Sequence, residues 1–176
     1  MRAARAALIS ARETASARAA ALAPIDLWPS TPWVGAYLAM PEEIDPAPLV
    51  ARLARRGVRL ALPVVIAPGL PLVFREATGE LAPDAAGIPA PPASAREVSP
   101  GLIIAPLLGF DAEGRRLGQG GGYYDRTLRE LRASGSLLAV GLAFAAQEAP
   151  VIPTGRFDER LDAILTETGY RAVSEG

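Results

Sequence analysis

Apolar residues along this chain fall into short runs cut by proline, glycine and charge, and helix-like stretches alternate with strand-like ones. Arg2 to Leu22 is dominated by Ala, Arg and Leu, which are strong helix formers, and predicts a helix ended by Pro24, Pro29 and Pro32. Trp33 to Leu38 reads as a strand. Asp45 followed by Pro46 is an N-cap and first-turn signature, predicting a helix through Arg56 that Gly57 closes. The aliphatic run Arg59 to Val65 predicts the next strand, so strand, helix and strand form a βαβ-like unit. Leu72 to Arg75 predicts a short strand, and Ala82 to Pro100, carrying five prolines and little periodicity, predicts a long surface loop. Gly101 to Pro106 and Leu137 to Phe144 read as fully buried strands. Between them Tyr123 to Arg132 reads as a helix terminated near Gly135, and Ala163 to Thr166 as a last short strand. Apolar strands alternating with helices predict an α/β fold with a mainly parallel sheet.

The chain has 176 residues, half of them hydrophobic, which suits a single domain spanning 1–176. Its longest apolar runs stop well before the roughly 18 to 20 residues needed to span a bilayer, so no membrane partner is expected. The first twenty residues lack the continuous apolar stretch of a secretory signal, which leaves the cytoplasm as the expected compartment. A formal net charge of -1 gives no reason to expect nucleic acid as a partner.

The sequence contains no cysteine and no histidine. Thiolate nucleophiles, Cys or imidazole zinc sites and a Ser-His-Asp triad are thereby excluded. Chemistry must rest on carboxylates, arginines, tyrosines, hydroxyls, backbone amides, a hard metal ion or the substrates themselves. All eighteen basic residues are Arg, a bias that fits genome composition better than function.

The most informative stretch runs from Gly109 to Leu128, between a buried strand and a helix. Gly118, Gly120, Gly121 and Gly122 remove side-chain bulk and permit positive φ, so backbone N–H groups can converge on an anion where the helix begins. Arg115 and Arg116 can add charge to phosphate oxygens, and Asp125 can offer a carboxylate to magnesium. From glycine content alone, a flexible hairpin whose tyrosines pack on the sheet is equally open, because the spacing is neither a P-loop nor a dinucleotide fingerprint.

The string from Arg116 to Arg126, Arg-Leu-Gly-Gln-Gly-Gly-Gly-Tyr-Tyr-Asp-Arg, preceded by Pro106 to Asp111 and Gly114, resembles the signature of the 5-formyltetrahydrofolate cyclo-ligase family. Tyr37 to Ile44, Leu62-Pro63, Gly87-Ile88 with Pro91, Gly141 to Phe144 with Gln147, and Pro153 to Asp158 resemble other landmarks in order, so the likeness covers roughly Trp33 to Gly169. It implies a single-domain, three-layer Rossmann-like fold, similar to the ribose-5-phosphate isomerase and CoA-transferase group. It implies a probable-monomer enzyme of reduced folate and ATP, with Mg2+, that makes 5,10-methenyltetrahydrofolate. By the same resemblance, Arg5, Arg116, Leu117, Gly118, Gln119, Gly120, Gly121, Gly122, Tyr123 and Tyr124 hold ATP, with Arg116, Gln119 and Tyr123 as the catalytic set. Leu38 and Glu43, with Gln119 to Tyr123, touch the folate, and Asp125 and Asp158 hold the metal. Asp111 and Asp162 are expected to cap turns or helices.

The chain departs from the family pattern at Gly155 and Phe157, where Glu and His are usual, and at Ala90, which replaces a frequent Glu. Two other readings therefore stay open. One is a non-catalytic folate- or nucleotide-binding paralogue on the same scaffold. The other is a sugar-phosphate isomerase or acyl-CoA enzyme using Glu113 or Asp111.

Overall fold

The computed structural model describes residues 12–173. Three α-helices fall among them: α1 (Arg12–Leu22), α2 (Ala47–Ala54) and α3 (Tyr123–Ser134). Eight strands make one sheet: β1 (Trp33–Gly35), β2 (Arg59–Val64), β3 (Val73–Glu76), β6 (Glu97–Val98), β7 (Leu102–Ala105), β10 (Leu138–Leu142), β11 (Ala163–Thr166) and β12 (Gly169–Ala172). Two small ladders, β4 (Ala82–Pro83) with β5 (Pro89–Ala90) and β8 (Gly109–Phe110) with β9 (Arg116–Leu117), stand apart from it.

The order across the sheet is β12-β11-β10-β7-β1-β2-β3-β6. The five central strands are parallel, while β12, β3 and β6 are antiparallel additions at the two edges. From β1 the chain crosses through α2 to β2 on one side, and from β7 it crosses through α3 to β10 on the other. Connections of the same hand that leave in opposite directions must place their helices on opposite faces. Strand residues alternate accordingly. Val34, Leu102, Ile104, Val140, Leu142 and Leu165 join the core beneath α1 and α2, whereas Trp33, Ile103, Ala105 and Ile164 join the core that Leu128 of α3 seals. The result is three layers.

Most expected elements are present. The part of the first helix before Arg12 lies outside the described residues. Asp45 acts as expected at the start of α2, its Oδ1 accepting the N–H of Ala47 at 2.9 Å. Gly57, at φ +82°, ends that helix turn. The first strand is shorter than predicted: after Gly35 and one further bond, from Ala36 N–H to the Ala61 carbonyl at 3.1 Å, the chain leaves the sheet. A Cβ at Gly35 would sit 2.6 Å from both Ile103 and Phe74, so this position admits only glycine where β1 passes between its neighbours.

The stretch from Ala82 to Pro100 corrects the expectation of an irregular loop. Asp84 accepts N–H bonds from Val65, Ala86 and Ile88 at 2.8, 2.8 and 3.0 Å, drawing β4 and β5 into a ladder, and β6 pairs with β3. Strands of two residues have no period to detect, and the prolines that suggested a loop sit where edge strands tolerate them. β8, β9 and β12 were equally invisible in the apolar pattern. No helix among the described residues is long and apolar enough to cross a membrane.

Leu128 is fully buried where α3 meets the sheet. Leu128→Ala is expected to cost about 2–5 kcal/mol of stability through lost burial and a residual cavity, read as a lower urea midpoint at unchanged slope.

Candidate functional site

In an open parallel sheet the crevice for a ligand lies beyond the carboxyl ends of the strands, where the connections reverse direction. Here that point is between β1 and β7, which pair directly. The loop after β1 carries Leu38 and Glu43, and the connection after β7 carries the β8–β9 hairpin and the glycine loop that starts α3.

Glu43 is buried, and its Oε2 accepts the N–H of Met40 at 3.1 Å, which folds the carboxylate back onto its own turn. Tyr37 stabilises the same turn by donating its hydroxyl to the Ile44 carbonyl at 2.6 Å. Leu38 stays half exposed at the crevice. From the other wall comes Tyr124. Burial raises the pKa of its phenol, the negative charge of Glu43 raises it further, and Arg116 opposes the shift in part. The phenol therefore stays protonated and available as a donor at neutral pH. Glu43, Tyr124 and Arg116 thus lie within electrostatic reach of one another across the crevice.

Arg116 is the charged centre of the glycine-loop wall. Its side chain is only 6% exposed, its NH2 donates to Asp125 Oδ1 at 2.7 Å, and its guanidinium lies 5.8 Å from the Tyr124 ring. Its Nε is buried without a hydrogen-bond partner. A buried, orphaned guanidinium donor is costly unless an acceptor completes it, and a phosphate oxygen is such an acceptor. Arg115 does not share this role. Its guanidinium turns the other way, to Asp111 at 3.3 Å and Glu113 at 3.5 Å, because adjacent strand residues face opposite sides.

Beyond Leu117 the loop is open. Gln119, Gly120 and Gly121 are exposed, and Gly120 and Gly122 adopt φ of +91° and +63°. Gly122 caps α3 without any side-chain cap, so the first turn of the helix presents its N–H groups as an anion-binding end. Tyr123 packs against this turn, since a Cβ on Gly121 would lie 2.8 Å from its ring.

The two carboxylates expected to hold metal approach the same end of α3. Asp125 Oδ1 accepts the N–H of Glu159 at 3.0 Å as well as Arg116, which brings Asp158, the preceding residue, beside it in sequence. Asp158 is exposed, and its Oδ2 accepts the N–H of Gly155 at 2.7 Å. Hard carboxylate oxygens next to a phosphate-binding loop suit magnesium, which usually keeps several waters and takes few protein ligands. That agrees with the absence, among the described residues, of any cluster of three or more acidic, His or Cys side chains. Arg5 lies outside the described residues.

Two participants were missed in the sequence. Arg126, one helical turn beyond Gly122, donates to the Gly121 carbonyl at 2.7 Å and the Leu70 carbonyl at 3.2 Å, and its guanidinium lies 5.2 Å from the Tyr123 ring. Thr127 Oγ1 accepts the N–H of Leu72 at 2.8 Å. Together they fasten the loop after β2 to the glycine loop. The four-residue spacing from Gly122 was the available signal for Arg126. Asp111 and Asp162 are structural, as expected. Asp162 accepts from Ala139 N–H at 2.7 Å and Arg132 at 3.0 Å, and Asp111 is wholly buried, which removes it as an isomerase base.

Fold and site together define a doubly wound α/β protein with an anion-binding glycine loop facing a buried carboxylate at the switch point. The sequence model of the 5-formyltetrahydrofolate cyclo-ligase family matches residues 1–167, and the chain belongs to that family. It is 34% identical over 140 residues to the 5-formyltetrahydrofolate cyclo-ligase of Escherichia coli K12, covering 76% of each chain. The like-named protein of Mycolicibacterium smegmatis is 34% identical over 143 residues, 76% of this chain and 66% of that one. Among solved structures, the 5,10-methenyltetrahydrofolate synthetase of Aquifex aeolicus aligns with a TM-score of 0.70 and 26% identity over 98% of this chain and 92% of its own. The Mycoplasma pneumoniae synthetase, at 21% identity and a TM-score of 0.65 over 94% of this chain and 97% of that one, shares the fold.

Asp111 offers a pH test of this scaffold. Burial pushes its carboxyl pKa up, but the N–H groups of Ile152 and Arg115 and the Arg115 guanidinium outweigh that and leave it lowered. A lowered native pKa adds stability above the unfolded carboxylate value of about 3.9, and that stability is lost as pH falls through the native value. Melting curves should therefore show wild type losing stability below about pH 4 more steeply than Asp111→Asn, which lacks this titration.

Proposed function

We propose that this chain catalyses the ATP-dependent conversion of 5-formyltetrahydrofolate to 5,10-methenyltetrahydrofolate, releasing ADP and phosphate. The observation that carries the reading is the convergence of Glu43 and the Arg116–Tyr124 wall on one crevice, a folate-side carboxylate opposite a phosphate-side loop. Family membership gives the reaction.

In this reading Glu43 accepts hydrogen bonds from the pterin ring and Leu38 lies against it. Arg116 to Tyr124 wrap the phosphates, with Arg116 Nε finding the acceptor it lacks. Asp125 and Asp158 hold magnesium, which neutralises phosphate charge. The formyl oxygen attacks the γ-phosphorus and ADP leaves. N10 then closes on the activated carbon, and the C–O bond breaks to release phosphate. Phosphorylation converts a poor leaving oxygen into a good one, so positioning and charge neutralisation suffice without histidine. Gln119 and Tyr123 reach both substrates from the exposed loop. We take the enzyme to act as a cytoplasmic monomer on these small molecules alone.

The test is the absorbance of methenyltetrahydrofolate formed by purified protein with and without MgATP. Product that requires MgATP supports the reading, and ligand-induced stabilisation without product would replace it with the non-catalytic paralogue. Asp125→Ala is expected to lower magnesium-dependent kcat by about 100-fold or more with the fold retained by circular dichroism. Full activity would remove Asp125 from the metal site. Tyr123→Ala should raise KM for both substrates, and an unchanged pair of KM values would leave Tyr123 a packing residue.

A further inference from the structure

The β8–β9 hairpin and the segment that leads from β10 to β11 are joined at two points, and each is a carboxylate. Arg115 and Arg116 are neighbours on β9 and leave its opposite sides, Arg115 to Asp111 and Arg116 to Asp125. The same two carboxylates take backbone N–H groups from the later segment. Asp111 Oδ2 accepts from Ile152 at 2.9 Å, and Asp125 Oδ1 accepts from Glu159 at 3.0 Å. Residues 152–159, which include Asp158, are therefore strung between the carboxylates that also hold Arg115 and Arg116.

Asp111 is the anchor remote from the crevice. It is wholly buried and also accepts the N–H groups of Glu113 at 3.1 Å and Arg115 at 3.0 Å, which closes the hairpin turn. Flanking backbone bonds seat the hairpin on the later segment, from Ala149 N–H to the Phe110 carbonyl at 2.8 Å and from Leu161 N–H to the Gly114 carbonyl at 2.9 Å. Neither of those two bonds involves a side chain, so Asp111 is the side chain that fixes where Ile152 starts the arc relative to the strand presenting Arg116. None of its bonds reaches the loop carrying Leu38 and Glu43.

We infer that Asp111 is a positioning residue for the MgATP half of the site alone, setting Arg116 and the Asp158 arc in register without touching either substrate. The inference rests on the proposed function, which assigns phosphate to Arg116 and metal to Asp125 and Asp158. A merely structural brace would weaken both halves together. A positioning role weakens one, because small misplacements of charged groups around a phosphate cost far more than they do for a distant apolar surface.

The experiment is calorimetric titration of wild type and Asp111→Asn with a non-hydrolysable ATP analogue in magnesium, and separately with 5-formyltetrahydrofolate. The variant should bind the analogue about tenfold or more weakly, a difference of about 1.4 kcal/mol, and need more magnesium for half-saturation, while folate affinity stays within about twofold. Equal loss for both ligands, or unchanged analogue affinity, overturns the inference. Wild type that binds no analogue overturns the proposed function and this inference with it, a result distinct from a wild type and variant that bind alike. Should Asp111→Asn fail to fold, Arg115→Gln removes one guanidinium bond and leaves the backbone bonds to Asp111. It should show the same selectivity at about threefold, and an equal effect on both ligands overturns the inference.

Discussion

The reversal of chain direction between β1 and β7 is the constraint on which the rest of this structure depends. These paired parallel strands send their crossovers in opposite directions across the sheet, so α2 and α3 cover opposite faces. No connection then crosses over the carboxyl ends of β1 and β7, and a crevice is left there. Everything with chemistry enters it from one of two walls. The β1 wall brings Glu43 on a turn tied back by Met40, and the β7 wall brings a glycine loop that becomes a helix.

The electrostatics follow from that geometry. Arg116 is buried enough to need a partner and receives one carboxylate, Asp125, which also holds the segment from β10 through Glu159. A single guanidinium therefore joins three connections. Its unsatisfied Nε marks where that network is incomplete within the protein. Tyr124 lies between the carboxylate of one wall and the guanidinium of the other, and burial keeps its phenol protonated. A site without histidine can work this way because its donors are fixed and need not titrate near neutrality.

The departures at Gly155 and Phe157 fall on an exposed turn, where Gly155 N–H meets Asp158 Oδ2 and the Phe157 ring lies 5.5 Å from the Arg129 guanidinium and 4.9 Å from that of Arg156. The turn is tethered by Arg129 and Arg132 to Glu159, at 3.0 and 2.9 Å. The metal-side carboxylate is thus carried on a segment whose position is set by neighbours on α3, and the identities of residues 155 and 157 leave those tethers in place.

The sequence by itself determined the parallel core and the glycine loop. Val34, Ile103, Val140 and Ile164 lie in apolar runs whose period and length are local properties, and the glycines of Gly118 to Gly122 announce positive φ wherever they stand. It also made Asp45 and Asp111 legible as turn-capping residues, since an Asx cap acts over two or four residues. Only the tertiary structure decided the rest. That Arg116 pairs inward while Arg115 pairs away depends on which face of a two-residue strand is buried, and no periodicity survives in so short an element. Likewise Glu159 N–H meets Asp125 across 34 residues, and Arg126 reaches back 56 residues to Leu70. Long-range pairings of this kind are fixed by the order of strands in the sheet, and that order is a consequence of packing both faces at once rather than of any local segment.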